Sequence, residues 1–180
     1  MITIIMSDHL VDVVNDNDEV IWQELKSKKI EQWFISRVVA MFLIRSNGKL
    51  VVCKRADHKR NAASLYDLAA FWNVMQGESY PDAAQRELQE ELNIICPLTP
   101  LEKFYQEVHN DDKLYKIFCG IFVGISDSEI QLNEELVESK EMNFEEVEKE
   151  LAEHPESFCQ GFINDFAQVK NQLKNLIRNS

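Results

Sequence analysis

The chain has 180 residues, 45% hydrophobic and 28% charged, with a formal net charge of -12. That length suits one domain with a substantial core. The acidity argues against a nucleic-acid polymer as partner, which needs clustered Lys and Arg, and no apolar run reaches the roughly 18 residues of a membrane span.

The opening "MITIIMSDHL" is too short and lacks the basic start of a signal peptide. Between residues 8 and 25, "HLVDVVNDNDEVIWQ" predicts two short strands joined by the turn formers Asn15 to Asp18. "RVVAMFLIR", Arg37 to Arg45, is a nearly continuous apolar run and predicts a buried central strand. Asn47-Gly48 then predicts a hairpin into "KLVVCKR". "ADHKRNAASLYDL" is a polar connection carrying several basic residues.

A helix follows. Ser79 is placed to cap it with Asp82 three residues on, Pro81 is tolerated in its first turn, and Leu92 ends it. Ala84, Leu88 and Leu92 form its buried stripe, and Asn93 can close it in the left-handed conformation. "PLEKFYQEVH" and "LYKIFCGIFVGI" predict two further strands, and "SEIQL" an extension of the sheet. Two helices over about 144–178 close the chain; in the second, Phe158, Phe162, Phe166, Val169 and Leu173 recur at spacings of three and four. That aromatic stripe is core packing. The order of elements predicts an α/β domain with a mixed sheet between helices. Cys53, Cys96, Cys119 and Cys159 are scattered without a C-x-x-C pair, as expected of reduced thiols in the cytoplasm.

The capped helix carries the chemistry. Glu87, Glu90 and Glu91 stand at i, i+3 and i+4 and face one spot, although like charges at that spacing repel by a few tenths of a kcal/mol per pair. Convergent carboxylates suit a hard dication such as Mg²⁺ or Mn²⁺. Arg86 follows Glu78 by eight residues and could brace the preceding loop through an ion pair. Taken alone, a glutamate-rich helix is more often a solvated face. Lys54, Arg55, Lys59 and Arg60 could meet phosphates, but a solubilising loop is the preferred reading. His58 and His109 read as ordinary surface or loop histidines.

With Glu78, Arg86, Glu87, Leu88, Glu90, Glu91 and Ile94 in register, the stretch resembles the Nudix box, G-x5-E-x7-R-E-U-x-E-E-x-G-U, at seven of nine defined positions. "VNDNDEVI", "RVVAMFLIRSNGKLVVCKRADHK" and "SLYDLAAFWNVMQGES" extend the resemblance to the branch of isopentenyl-diphosphate isomerases and their hydrolase relatives. It implies a single Nudix domain over residues 1–180, an α/β/α sandwich with a mixed sheet, that hydrolyses a small nucleoside or other organic diphosphate. Glu87, Glu90 and Glu91 would hold Mg²⁺ or Mn²⁺. Glu90, Glu91 or Glu135 would serve as base, with a solvated surface charge the competing reading of Glu135. The oligomeric state is left open, a dimer included.

Two box positions depart from the pattern. Asn93 replaces the last Gly, a mild change. Trp72 replaces the first, with Phe71 where a second Gly is common. Crowding of a metal-holding loop by Trp72 predicts weakened hydrolysis, relieved by Trp72→Gly; a Nudix-fold binding or regulatory protein is the alternative. An isomerase is disfavoured, because "LAAFWNVMQG" lacks the Cys and His-Pro that isomerases carry there.

Overall fold

A computed structural model describes residues 8–59, 61–110 and 113–179. The start of the chain, where the leader was assessed, lies outside them. The N-terminal hairpin is β1 (Leu10–Val14) and β2 (Val20–Leu25), followed by a 3-10 turn over Lys26–Lys28. Then come β3 (Ile35–Ile44), β4 (Leu50–Arg55), β5 (Tyr66–Asp67), β6 (Ala70–Asn73) and helix α1 (Tyr80–Leu92). β7 (Leu98–Asn110), β8 (Lys113–Ile125), β9 (Leu136–Met142), α2 (Phe144–Glu153) and α3 (Gln160–Asn179) complete the chain. No helix among the described residues is long and apolar enough to cross a membrane.

β3 organises the sheet. It runs parallel to β8 from Ile35↔Lys116 to Ile44↔Ile125, while β1, β6 and β4 pair with it antiparallel. Side chains alternate across a strand, so its apolar run feeds two cores. Val39, Met41 and Leu43 pack with Ala84, Leu88 and Leu92 of α1. Val38, Ala40, Phe42 and Ile44 pack with Phe144 of α2 and Phe162, Phe166, Val169 and Leu173 of α3. Among the described residues the result is a sheet of nine strands between helices, the α/β/α arrangement expected.

Three expectations change. Ser128–Leu132 lies outside every strand, and Gln131 N–H instead donates to the Leu92 carbonyl at the end of α1 (3.0 Å). The extra sheet partner is β9, which pairs with β4. The connection after β4 is not wholly irregular, since Tyr66–Asp67 adds to β4.

A buried turn pins the hairpin. Asp18, at φ 62, accepts from Arg37 Nε (2.6 Å), Lys103 Nζ (2.6 Å) and the Tyr80 hydroxyl (3.2 Å), tying β1 and β2 to β3, β7 and α1. Asp12 Oδ2 accepts from Gly77 N–H (2.9 Å), and Gly77 has the positive φ of 71 that favours glycine. The hairpin thus holds the loop that enters α1.

Asp165 of α3 is fully buried. Its Oδ1 accepts from Gln106 Nε2 (3.1 Å) and the Cys119 thiol (3.8 Å), while Oδ2 has no hydrogen-bond partner among the described residues. Burial, first of all, pushes this carboxyl up to about 7. A carboxyl whose folded pKa is raised stabilises fully below its unfolded value and loses that contribution as pH rises through the folded one. Stability is therefore expected to fall between pH 4 and 7, by up to about 1.4 kcal/mol per pH unit from this group. Asp165→Asn should remove one proton's worth of that slope, read from urea melts at pH 5 and pH 8.

Candidate active site

Helix α1 forms as its sequence dictates. Ser79 Oγ accepts from Asp82 N–H (3.3 Å), Pro81 sits in the first turn, and Asn93 closes the helix at φ 56, ψ 36. The left-handed conformation costs an ordinary L residue about 1–2 kcal/mol, and Asn tolerates it. Arg86 grips Glu78 with two hydrogen bonds of 2.8 Å, and Glu78 Oε2 also accepts Met75 N–H (3.0 Å). The loop from β6 to α1 is thereby braced against the helix.

The three glutamates do not share one environment. Glu87 and Glu91 are buried, whereas Glu90 is 57% exposed and 3.5 Å from Arg86. Glu87 pairs with Arg86. Glu91 Oε1 accepts the Phe71 N–H (3.4 Å). Burial pushes Glu87 up to about 7 against the pull of Arg86. Burial also raises Glu91 well above the usual range, with the charges of Glu87, Glu135 and Asp67 acting in the same direction.

Two segments bring further groups. Glu135 reaches the site because Asn133 N–H donates to the Glu91 carbonyl (3.2 Å) and Ala56 N–H to that of Glu135 (2.8 Å). Its carboxylate pairs with Lys59 at 2.6 Å, both side chains largely buried, so neither is a solvated surface charge. Arg55 is likewise internal and pairs with Asp67 (3.2 Å), while Lys54 stands over the Tyr66 ring (5.5 Å). The solubilising-loop reading therefore fails for Arg55 and Lys59; Arg60 lies outside the described residues.

Lys26 is a site residue that the sequence does not signal. Leaving β2, its Nζ stands 3.5 Å from the centroid of the Trp72 ring, with Lys59 Nζ 5.3 Å from the same ring. Burial lowers Lys26 to about 8, opposed by the charges of Glu135 and Glu87. Trp72 itself lies in β6, paired with Val39, and is not among the non-glycine residues with positive φ. Its backbone is therefore ordinary strand and needs no glycine.

The donor set suits a hard dication in its chemistry: carboxylate oxygens, two of them buried where a positive charge would favour ionisation. The chain's own cations engage those carboxylates, Arg86 on Glu87 and Lys59 on Glu135. Among the described residues, no three His, Cys, Asp or Glu side chains are gathered closely enough to hold a metal ion together.

A family model described as "NUDIX domain" matches residues 34–162. The chain is similar to an isopentenyl-diphosphate Delta-isomerase of Serratia proteamaculans, 28% identical over 158 residues covering 87% of this chain and 88% of that protein. It is similar to an uncharacterized Nudix hydrolase of Pseudomonas aeruginosa, 31% identical over 133 residues, 73% of this chain and 76% of the other. Its fold is similar to the crystal structure of DR0079 from Deinococcus radiodurans, with a TM-score of 0.67 at 25% identity, covering 81% of this chain and 90% of that one.

Proposed function

The chain belongs to the Nudix family, and from that premise we propose that it hydrolyses the diphosphate linkage of a small nucleoside or other organic diphosphate with the help of Mg²⁺ or Mn²⁺. The observation that carries this reading is one patch in which Glu135 pairs with Lys59, Lys59 and Lys26 stand on the ring of Trp72, and the neighbouring Phe71 N–H donates to Glu91: anionic groups for a cation, and cations for an anionic substrate.

Glu87, Glu90 and Glu91 would hold the dication, which when bound offsets the substrate's charge and makes water a better nucleophile. Arg86, locked to Glu78, keeps Glu87 in place. Glu91 is fixed by the Phe71 N–H. Glu135, or Glu90 or Glu91, takes the proton of the attacking water. Lys26 and Lys59 face the diphosphate oxygens, where charge-assisted hydrogen bonds are strongest.

Trp72 is the seat of Lys26 in this reading, rather than an obstruction. A cation–π contact contributes about 0.5–2 kcal/mol, so Trp72→Gly is expected to lower kcat/KM by about 2- to 30-fold while Trp72→Phe keeps most of it. A rise in turnover on Trp72→Gly would instead mean that the ring crowds the site.

The test is phosphate or diphosphate release across nucleoside and prenyl diphosphates, with and without Mg²⁺ or Mn²⁺. Release that depends on the cation supports hydrolysis. Tight binding with no release supports the second reading, a Nudix-fold binding or regulatory protein, which is favoured by the seating of Lys59 on Glu135.

A further inference from the structure

The N-terminal hairpin carries a concentration of exposed apolar residues: Leu10, Val20, Ile21, Trp22 and Leu25 are each 37–52% exposed. Four of them belong to β2, which lies at the margin of the sheet and pairs with β1 alone among the described residues. Exposed edge strands normally carry Lys or Pro to block further pairing. "VIWQEL" has neither. The strand is also held firmly, through Asp18 on Arg37 and Lys103 and Asp12 on Gly77.

The phase of its backbone is fixed. Lys26 N–H donates to the His9 carbonyl (2.9 Å), so residues 22, 24 and 26 face β1. By alternation Gln23 and Leu25 turn their N–H and C=O groups outward, while Ile21 is the extra residue of a bulge between Trp22, paired with Val13, and Val20, paired with Val14. In keeping with this, Leu25 N–H donates to the carboxylate of its own neighbour, Glu24 (2.8 Å). The strand's flanks carry opposite charge, with Asp16 and Glu19 before it and Lys28, paired with Glu31 at 2.9 Å, after it. Such a strand is complementary to itself when the second copy runs antiparallel.

We propose that β2 pairs antiparallel with β2 of a second copy of this chain, about a two-fold axis at Gln23. In that register Ile21 faces Leu25 of the other copy, Gln23 faces Gln23, and Glu19 falls beside the basic end, Ser27 and Lys28. The outward-facing Gln23 residues then form a hydrogen-bonded pair of two bonds, with Leu25 of each copy beside the bulged Ile21 of the other. Ile21 and Leu25 of both copies, flanked by Leu10, make one apolar stripe across the joint. Such an isologous contact closes on itself and gives a dimer rather than a filament.

Light scattering coupled to gel filtration should return twice the 21.0 kDa chain mass. Ile21→Lys should give a monomer whose circular dichroism and melt match wild type, because Ile21 is half exposed. Gln23→Cys should form a disulfide-linked dimer under mild oxidation, since the Cα atoms of such a pair stand about 5.5 Å apart. The four native cysteines are buried and do not compete. Trp22→Cys, which faces Glu24 of the other copy, should not cross-link. A monomeric wild type, an Ile21→Lys protein that stays dimeric, or cross-linking as efficient through Trp22→Cys as through Gln23→Cys would each overturn the proposal.

Discussion

Glu91→Gln is expected to reduce dication-dependent hydrolysis by about 10²–10⁴-fold, the loss associated with removing a general base or its equivalent. The fold should survive. Glutamine has the same shape and keeps an oxygen for the Phe71 N–H. It also removes a carboxyl whose ionisation is opposed by burial and by Glu87, Glu135 and Asp67. Without metal, the variant should therefore melt at or above the wild-type temperature at pH 7, an exchange of stability against activity common at functional sites. Initial rates with saturating Mg²⁺ and a paired thermal melt check both halves. Unchanged turnover would place the chemistry elsewhere.

Phe162→Ala is expected to have the largest effect on stability, about 3–5 kcal/mol. The ring is buried, stacked on Phe166 with centroids 5.9 Å apart, and in contact with Phe158 (5.2 Å) and Phe42 (6.2 Å). The ring belongs to the apolar core shared by α3 and β3, and its removal leaves a cavity there. A domain's whole stability is about 5–15 kcal/mol, so the loss is a large share. Urea denaturation followed by circular dichroism measures it. A cost under about 1 kcal/mol would show that α3 collapses onto β3 without the ring.

How much of this was legible follows from where the information lies. β3 and β8 are long apolar runs, and α1 announces itself through its cap, its stripe and its charges. β9 was missed because "LVESKEM" buries one residue, Leu136, and is otherwise polar; it is a strand by virtue of β4 beside it. β6 has four residues, too few for a period to register. In the site, the Arg86–Glu78 pair was readable because both members flank one turn and one helix. The pairing of Lys59 with Glu135 joins residues 76 positions apart, since 135 − 59 = 76, and rests on the meeting of β4 with β9. Lys26 depends on the fold-back of the hairpin onto Trp72. Trp72 in place of glycine suggested a crowded loop because the sequence does not reveal that the position lies in a regular strand.

The parallel pairing of β3 with β8 bears on how fast the protein reaches this structure. Every partnered position is separated by 81 residues, as in Ile35 and Lys116. Closing loops of that length must precede the contacts that reward it, which slows folding towards the millisecond-to-second range. During synthesis β3 emerges well before its partner, and seven of its ten residues in succession, Val38 to Ile44, are apolar and destined for burial. Until β8 arrives, that segment is an adhesive surface with one side unpaired. The hairpin, β4 and β6 can shield its other side earlier, which makes the arrival of residues 113–125 the point at which that surface is covered.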